Sequence, residues 1–107
     1  EKRSDDECLK FFTEISERIY PAFSSVLKDR PVLKVRLMKT RWGVCHIQKN
    51  TITLNKALID KPVEAIEYVI LHEYVHFIHP NHQEPFHQTM KVLMPDYKKR
   101  KKLLSDE

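Results

Sequence analysis

Hydrophobic residues in the first part of the chain recur every three or four positions, which is the spacing of an amphipathic helix. The positions that define this pattern are Cys8, Phe11, Phe12, Ile15 and Ile19. Ser4 and Glu7 have the form of a capping box at the start of the helix. Tyr20-Pro21 indicates its end, because proline disfavours the interior of a helix. We therefore predict a helical segment within residues 1–30.

The hydrophobic period changes to about two in the middle of the chain, which is typical of strands. Alternation covers residues 32–38 and 42–47, and the short run 51–54 is rich in β-branched residues. Residues 48–50, Gln-Lys-Asn, have the composition of a turn between the last two strands. We predict a small three-stranded sheet over residues 32–55 that contains a hairpin and is at least partly antiparallel.

A helical period returns over residues 62–94. Pro62 fits the first turn of a helix, where its missing N–H would be unpaired in any case. The apolar face of this helix is formed by Val63, Ile66, Val69, Ile70, Phe77 and Ile78. We expect the helix to reach almost to Pro80, and a further helix to begin near residues 82–85 and to run to Met94.

The last segment, residues 95–107, is strongly basic. Pro95-Asp96 interrupts the chain, and a final helix up to Leu104 carries the run Lys98-Lys99-Arg100-Lys101-Lys102. Such a run is usually a solvated helix face, so contact with nucleic acid is the less favoured interpretation. The element order is helix, strands, helices, and the predicted fold class is α+β.

Length and composition indicate one globular domain over residues 1–107. Hydrophobic residues make up 41% and charged residues 32% of the chain, as in folded rather than disordered proteins. No apolar run approaches the roughly 18 residues that span a bilayer, so no membrane contact is expected. The two cysteines, Cys8 and Cys45, form no CxxC pair. A disulfide scaffold would carry more cysteines, which favours a reducing, cytoplasmic location.

Five of the six histidines lie within sixteen residues, from His72 to His87. His72 and His76 belong to a His-Glu-x-x-His motif, and residues four apart share one face of a helix. Both imidazoles can therefore bind one ion at about 2.1 Å. Glu73 is rotated by about 100° from His72, so it is poorly placed as a ligand and well placed to act on a water molecule beside the ion. The sequence predicts one Zn²⁺ ion on this helix.

A third ligand must come from beyond the helix. Pro80-Asn81 reverses the chain, and His82 follows His76 by six positions, which gives it room to return to the ion. We therefore prefer His82 as the third ligand, then Glu84, then His79. His79 is last because it lies one further turn along the helix, too far for tetrahedral geometry.

Several further motifs occur in order around the histidines. They are Arg41-Trp42-Gly43-Val44-Cys45, Ile52-Thr53-Leu54-Asn55, Asn81-His82, Phe86 and Met94-Pro95-Asp96-Tyr97-Lys98. Together with the His-Glu-x-x-His motif, they make the sequence resemble the minigluzincins, which are small zinc peptidases, and the related YgjP-type metallopeptidase domains. The resemblance extends over residues 34–104. It implies a minimal gluzincin-like α+β fold in which an edge strand lines the active-site cleft.

The resemblance also implies roles for individual residues. It implies a zinc metalloendopeptidase that hydrolyses peptide bonds, with the metal on His72, His76 and His82 and with Glu73 as general base. The C-terminal segment of such proteins can block the cleft, so we expect a latent zymogen, monomeric or dimeric through that segment. A peptide or protein substrate would lie extended along residues 42–47.

Two other functions remain open. A SprT-like protease acting on DNA-bound proteins would use the same zinc chemistry and would contact DNA through residues 98–102. A non-catalytic structural zinc module is less favoured, because such sites are usually closed by four protein ligands and have no use for Glu73. The group that stabilises the oxyanion is also left open among His46, His87 and Tyr97.

Overall fold

The computed structural model describes residues 3–105, and in this range the chain forms a three-stranded sheet and four α-helices. In chain order the elements are α1 (Asp5–Ile19), β1 (Val32–Arg36), β2 (Gly43–His46), β3 (Thr51–Asn55), α2 (Val63–Val75), α3 (Glu84–Leu93) and α4 (Tyr97–Lys102). Short 3-10 segments lie at Tyr20–Phe23, Ile47–Lys49 and Lys56–Asp60. The predicted α+β class, with a small sheet and flanking helices, is confirmed.

The first helix, α1, begins at the predicted capping box. Ser4 Oγ accepts a hydrogen bond from the Glu7 N–H at 3.1 Å, and the Glu7 carboxylate accepts one from the Ser4 N–H at 2.9 Å. The two bonds satisfy donors that would otherwise be unpaired at the helix start. The apolar face of α1 packs on α2 and on the sheet, and its fully buried hydrophobic residues are Cys8, Phe12 and Ile15.

The sheet has the strand order β1-β3-β2, so β3 lies in the centre and all five of its residues are buried. β1 runs parallel to β3, and β2 runs antiparallel to it. β2 and β3 form the predicted hairpin, and its turn ends at Asn50 with a φ of 49°. Asparagine tolerates this left-handed conformation better than most residues. β2, shorter than the predicted strand 42–47, is an edge strand of this sheet, so one side of its backbone lacks a strand partner.

The helix that carries the histidine motif, α2, lies at the centre of the fold. It contacts α1, α3, α4 and β2. A helix that is covered on all sides must be apolar nearly all round, and α2 is buried at Ala65, Ile66, Tyr68, Val69, Ile70, Leu71, Tyr74 and Val75. Glu73 is the one charged residue of α2 that is buried. Two other residues of the predicted apolar face, Val63 and Ile78, are instead exposed.

The end of α2 differs from the prediction. The helix ends at Val75 rather than close to Pro80, and His76 is its C-cap. Beyond His76 the chain tightens, because the Phe77 N–H donates to the Tyr74 carbonyl at 3.0 Å and the Ile78 N–H donates to the Val75 carbonyl at 2.9 Å. Such tight turns satisfy the last carbonyls of a helix. The early end turns the following loop back across the end of the helix.

The last helix, α4, is held on α2 by Arg100. Its guanidinium donates to the Glu67 carboxylate at 2.7 Å and to the Asp96 carboxylate at 3.0 Å. Tyr97 is the buried residue of α4, and the remaining residues of this helix are half-buried or exposed. α4 is therefore fixed in place while its lysines stay at the surface. Among residues 3–105, no helix is both long enough and apolar enough to cross a membrane.

Candidate metal centre and cleft

Three imidazole nitrogens converge where α2 ends. His82 Nε2 lies 3.1 Å from His72 Nε2 and 3.0 Å from His76 Nε2. These are the residues that the sequence predicted as ligands, and within residues 3–105 they form the one group of this kind that could hold a metal ion. The two motif histidines come together because they are four positions apart on one helix face. His82 reaches them because the tight turn after His76 brings the chain back.

Hydrogen bonds on the far side of two rings orient the free nitrogens towards one another. His76 Nδ1 donates to the His79 carbonyl at 3.2 Å. A carbonyl only accepts, so in the neutral ring the proton is on Nδ1 and the Nε2 lone pair faces the group. His72 Nδ1 lies 3.4 Å from the Tyr68 hydroxyl, one turn earlier on α2. Such outer contacts set the tautomer of histidines that bind metals.

Phe86 on α3 packs against all three imidazoles. Its ring centroid lies 4.9 Å from that of His72, 4.8 Å from that of His76 and 4.9 Å from that of His82. The side chain is only 1% exposed, so it forms a rigid apolar wall behind the three rings. Phe86 belongs to one of the sequence motifs, and no role for it was evident from the sequence. Its spacing of four from the buried Met90 identifies it as a core position of α3.

Burial keeps the two motif histidines, His72 and His76, neutral. Burial and, to a smaller extent, the charges of His76 and His82 together lower the pKa of His72 to about 3. Burial and the neighbouring His82 also lower the pKa of His76. Only the neutral ring has a lone pair to offer to a metal. Near pH 7 both motif histidines are therefore in the form that can bind a metal ion.

Glu73 lies beside this group without belonging to it. The side chain is only 5% exposed, and burial raises the pKa of its carboxyl to about 7, an effect that Arg41 partly offsets. Among residues 3–105, its carboxylate accepts no hydrogen bond and forms no ion pair, yet no oxygen of it is sealed from solvent. The carboxylate is therefore free to exchange a proton with a molecule in the cleft.

Gly43 at the start of β2 makes room for this carboxylate. A Cβ atom at position 43 would lie 3.0 Å from Glu73 Oε2 and 3.1 Å from its Cγ, tighter than ordinary van der Waals contact. The edge strand can approach Glu73 this closely because glycine has no side chain. This contact was not predicted from the sequence. The one signal for it is that the only glycine of the chain stands at the start of a predicted strand.

Three cavities meet at His72 and together form a cleft. The first, next to Glu73, is mainly apolar and is lined by Trp42, Tyr68 and Leu104 among others. The second lies between α3 and α4 and reaches His82. The third follows the edge strand β2 past Glu73 to His76 and His82. The cleft thus runs from β2 across the three histidines to α4.

The other candidate residues lie outside the group of three histidines. His79 Nε2 contacts Thr89 Oγ1 at 3.2 Å, so its ring is turned towards α3. The Glu84 carboxylate contacts the Gln88 amide at 3.5 Å. His87 Nδ1 lies 3.3 Å from the Tyr97 hydroxyl, and both residues line the cavity between α3 and α4. His46 is exposed at the end of β2. Neither His79 nor Glu84 therefore competes with His82 for a place beside His72 and His76 in this arrangement.

Comparison with known families identifies the class of this protein. Over residues 5–107 the sequence matches the family described as YgjP-like, metallopeptidase domain. The chain belongs to this family, which confirms the resemblance seen in the motifs. It is therefore a metallopeptidase domain, and its family implies a metal at the active site. None of the curated proteins compared with the chain matches it.

Solved structures with the same fold include two metallopeptidase zymogens. Jannalysin of Methanocaldococcus jannaschii is 19% identical, with a TM-score of 0.73, and the match covers 87% of this chain and 92% of that protein. Abylysin of Pyrococcus abyssi is 20% identical, with a TM-score of 0.63, and the match covers 94% of this chain and 91% of that protein. At these identities the likeness establishes the fold.

Proposed function

We propose that the protein is a zinc metalloendopeptidase of the His-Glu-x-x-His type, with one zinc ion held by His72, His76 and His82. The observation that carries the proposal is the convergence of three Nε2 atoms around one point. Ligands at about 2.1 Å with tetrahedral angles lie about 3.4 Å apart, close to the 3.0 and 3.1 Å between these nitrogens. Neutral imidazoles are also the nitrogen ligands that zinc prefers.

The number of ligands supports a catalytic rather than a structural metal. Structural zinc sites usually have four protein ligands, whereas catalytic sites have three and leave a position open. The candidate group contains three residues, and cavities adjoin it on both sides. This favours the peptidase over the structural module.

In the proposed reaction Glu73 is the general base. Zinc held by the three histidines would activate a water molecule and polarise the carbonyl of the scissile peptide bond. Glu73 accepts the proton of the attacking water and passes it to the leaving amine. Its free carboxylate and raised pKa suit both transfers, because a base works best when its pKa lies near the working pH.

The substrate backbone would be held by the edge strand. β2 has one side without a strand partner, and a cavity follows Gly43, Val44 and Cys45 along it. An extended peptide can add to such an edge through backbone hydrogen bonds. This would orient a peptide bond beside Glu73 and the three histidines.

The test combines metal content with peptide cleavage. Zinc-loaded wild type and Glu73→Gln are compared by atomic absorption and with a library of internally quenched peptides. We expect both proteins to hold one zinc ion per chain, and Glu73→Gln to lose at least about a hundredfold in kcat, as for a lost general base. Unchanged cleavage by Glu73→Gln would overturn the role of Glu73, and zinc-free wild type that cleaves equally well would overturn the class of reaction.

We also propose that the C-terminal segment, residues 95–107, keeps the protein latent. Leu104 and Lys101 line the cavity beside Glu73, which supports this role. Leu104→Ala would widen that cavity and leave α4 and Arg100 in place. We expect a higher kcat/KM on small peptides, with unfolding by urea unchanged within about 1 kcal/mol. An unaltered kcat/KM, together with no gain from deleting residues 103–107, would argue against latency.

A further inference from the structure

We propose that the groove between α3 and α4 binds acidic side chains of the peptide substrate. The proposal deepens the proposed peptidase function and depends on it, because it names the substrate class of the same cleft. The proposed contacts along β2 involve only the substrate backbone, so they do not distinguish one substrate sequence from another. The groove would add a preference for acidic side chains.

The groove is continuous with the candidate metal centre. His72 and His82 form one end of it, and Tyr68, Phe86 and Tyr97 line its walls. Its volume is about 500 Å³, within the range of small-ligand pockets. A peptide that passes the three histidines on this side would therefore place its next side chains in the groove.

Three lysines of α4 line the groove. Lys98, Lys101 and Lys102 are three and four positions apart, so they share one face of the helix. All three are exposed, and none forms an ion pair with any residue in the range 3–105. His87 also lines the groove.

No carboxylate among the described residues offsets these lysines within the groove. The lining residues include no aspartate or glutamate. Glu67 on α2 and Asp96 before α4 are both paired with Arg100, at 2.7 and 3.0 Å, and Glu67 is also paired with Arg18 at 3.6 Å. Two arginines thus offset these two carboxylates, and the lysines leave the groove with a net positive charge. A groove of one charge sign attracts ligands of the opposite sign.

The aromatic residues of the groove favour a peptide over a nucleic acid as the ligand. Proteins that bind single-stranded nucleic acids present exposed aromatic rings on which bases stack. Here Tyr68, Phe86 and Tyr97 are all buried. Phe86 is covered by the imidazoles, and Tyr97 stacks on His87 with a centroid distance of 6.3 Å. The groove therefore offers cations without stacking surfaces.

The experiment measures affinity and cleavage with matched peptides. Each pair differs by one Asp or Asn at successive positions on either side of the scissile bond. Affinity is measured by fluorescence anisotropy on zinc-loaded Glu73→Gln, and kcat/KM is measured on zinc-loaded wild type. Exposed ion pairs change an equilibrium by about 1.4- to 5-fold each, so we expect about tenfold tighter binding of the best Asp peptide. The preference should fall when the salt rises from about 0.05 to about 0.5 M.

A charge-reversed variant and a matched control locate the effect. We expect Lys98→Glu/Lys102→Glu to lose the preference for Asp and to bind the corresponding Lys peptides more tightly. Lys99→Glu is the control, because Lys99 is an exposed residue of the same helix that does not line the groove. Lys101 is left unchanged, since it also lines the cavity beside Glu73.

The outcomes separate the groove from the peptidase function. Equal affinity for Asp and Asn peptides, or the same loss in Lys99→Glu, would overturn the groove proposal. Tighter binding of a single-stranded oligonucleotide with the same lysine dependence would overturn it in favour of nucleic acid. If the affinity preference is found but neither wild type nor Leu104→Ala cleaves any peptide, the groove proposal stands as a binding property and the peptidase function fails.

Discussion

Replacing Glu73 by Gln tests whether the charged carboxylate of this buried residue destabilises the fold. The side chain is 5% exposed and has no hydrogen-bond or ion-pair partner among residues 3–105. Burial of a group of this kind penalises its charged form and favours the protonated one. Glutamine has nearly the same shape and carries no charge at any pH. In the zinc-free protein the substitution should therefore stabilise the fold at neutral and alkaline pH.

The size and pH dependence of the effect follow from the pKa of Glu73. Burial raises this pKa from 4.5 to about 7 in the folded protein, which corresponds to about 3 kcal/mol. Below pH 4.5 the carboxyl is protonated in both the folded and the unfolded chain, so Glu73 does not reduce the free energy of unfolding. As the pH rises from 4.5 through 7, the carboxyl loses its proton in the unfolded chain first. The free energy of unfolding therefore falls over this range. Glu73→Gln should therefore equal wild type near pH 4 and exceed it by about 3 kcal/mol at pH 8.

The assay is urea denaturation of zinc-free wild type and Glu73→Gln from pH 4 to pH 8, followed by circular dichroism. Both proteins contain His72 and His76, so the pH effects of the histidines cancel in the difference between them. Glu14→Gln, an exposed position on α1, is the control and should change stability by less than about 0.5 kcal/mol. Added zinc should reduce the difference, because a nearby cation favours the carboxylate. A pH-independent difference, or a less stable Glu73→Gln at pH 8, would show that burial does not disfavour the charged form of Glu73.

Three further predictions concern single positions. In Gly43→Ala the added Cβ would lie 3.0 Å from Glu73 Oε2 and should displace the carboxylate. We expect kcat to fall at least about tenfold with zinc content unchanged, because a misplaced general base loses its alignment with the attacking water; an unchanged kcat would contradict this. Burial and the charge of Glu73 raise the pKa of Cys45 to about 12. Iodoacetamide at pH 8 should therefore alkylate Cys45 far more slowly in the folded protein than in the urea-unfolded protein, and equal rates would contradict this. Ser16 Oγ lies 2.6 Å from the Tyr74 hydroxyl, and Tyr74→Phe would leave it buried without this partner. The substitution should therefore destabilise the fold by about 1–3 kcal/mol in urea titrations. A Ser16→Ala/Tyr74→Phe double variant should recover part of that loss.

The α+β class could be predicted because local spacing determines which segments are helices and which are strands. The capping box at Ser4 and the hairpin between β2 and β3 depend on neighbours in the sequence, and both are present. The parallel pairing of β1 with β3 could not be predicted. It depends on how residues 37–42 cross to the far edge of the sheet, and hydrophobic period carries no information on that path.

The candidate site shows the same division between local and long-range effects. His72, His76 and Glu73 follow from the geometry of one helix. His82 was predicted from the turn at Pro80-Asn81, but the early end of α2 that makes the return possible arises from 3-10 hydrogen bonds that spacing does not show. The Gly43 contact joins elements that are distant in the sequence and could not be found from period or spacing alone.

The most direct test of the account is a crystal structure of the zinc-loaded protein with anomalous data on both sides of the zinc absorption edge. The account predicts one zinc peak per chain within about 2.1 Å of the Nε2 atoms of His72, His76 and His82, with Glu73 outside the ligand shell. A zinc ion held by Glu84 or His79 in place of His82, or a site closed by a fourth protein ligand, would contradict it.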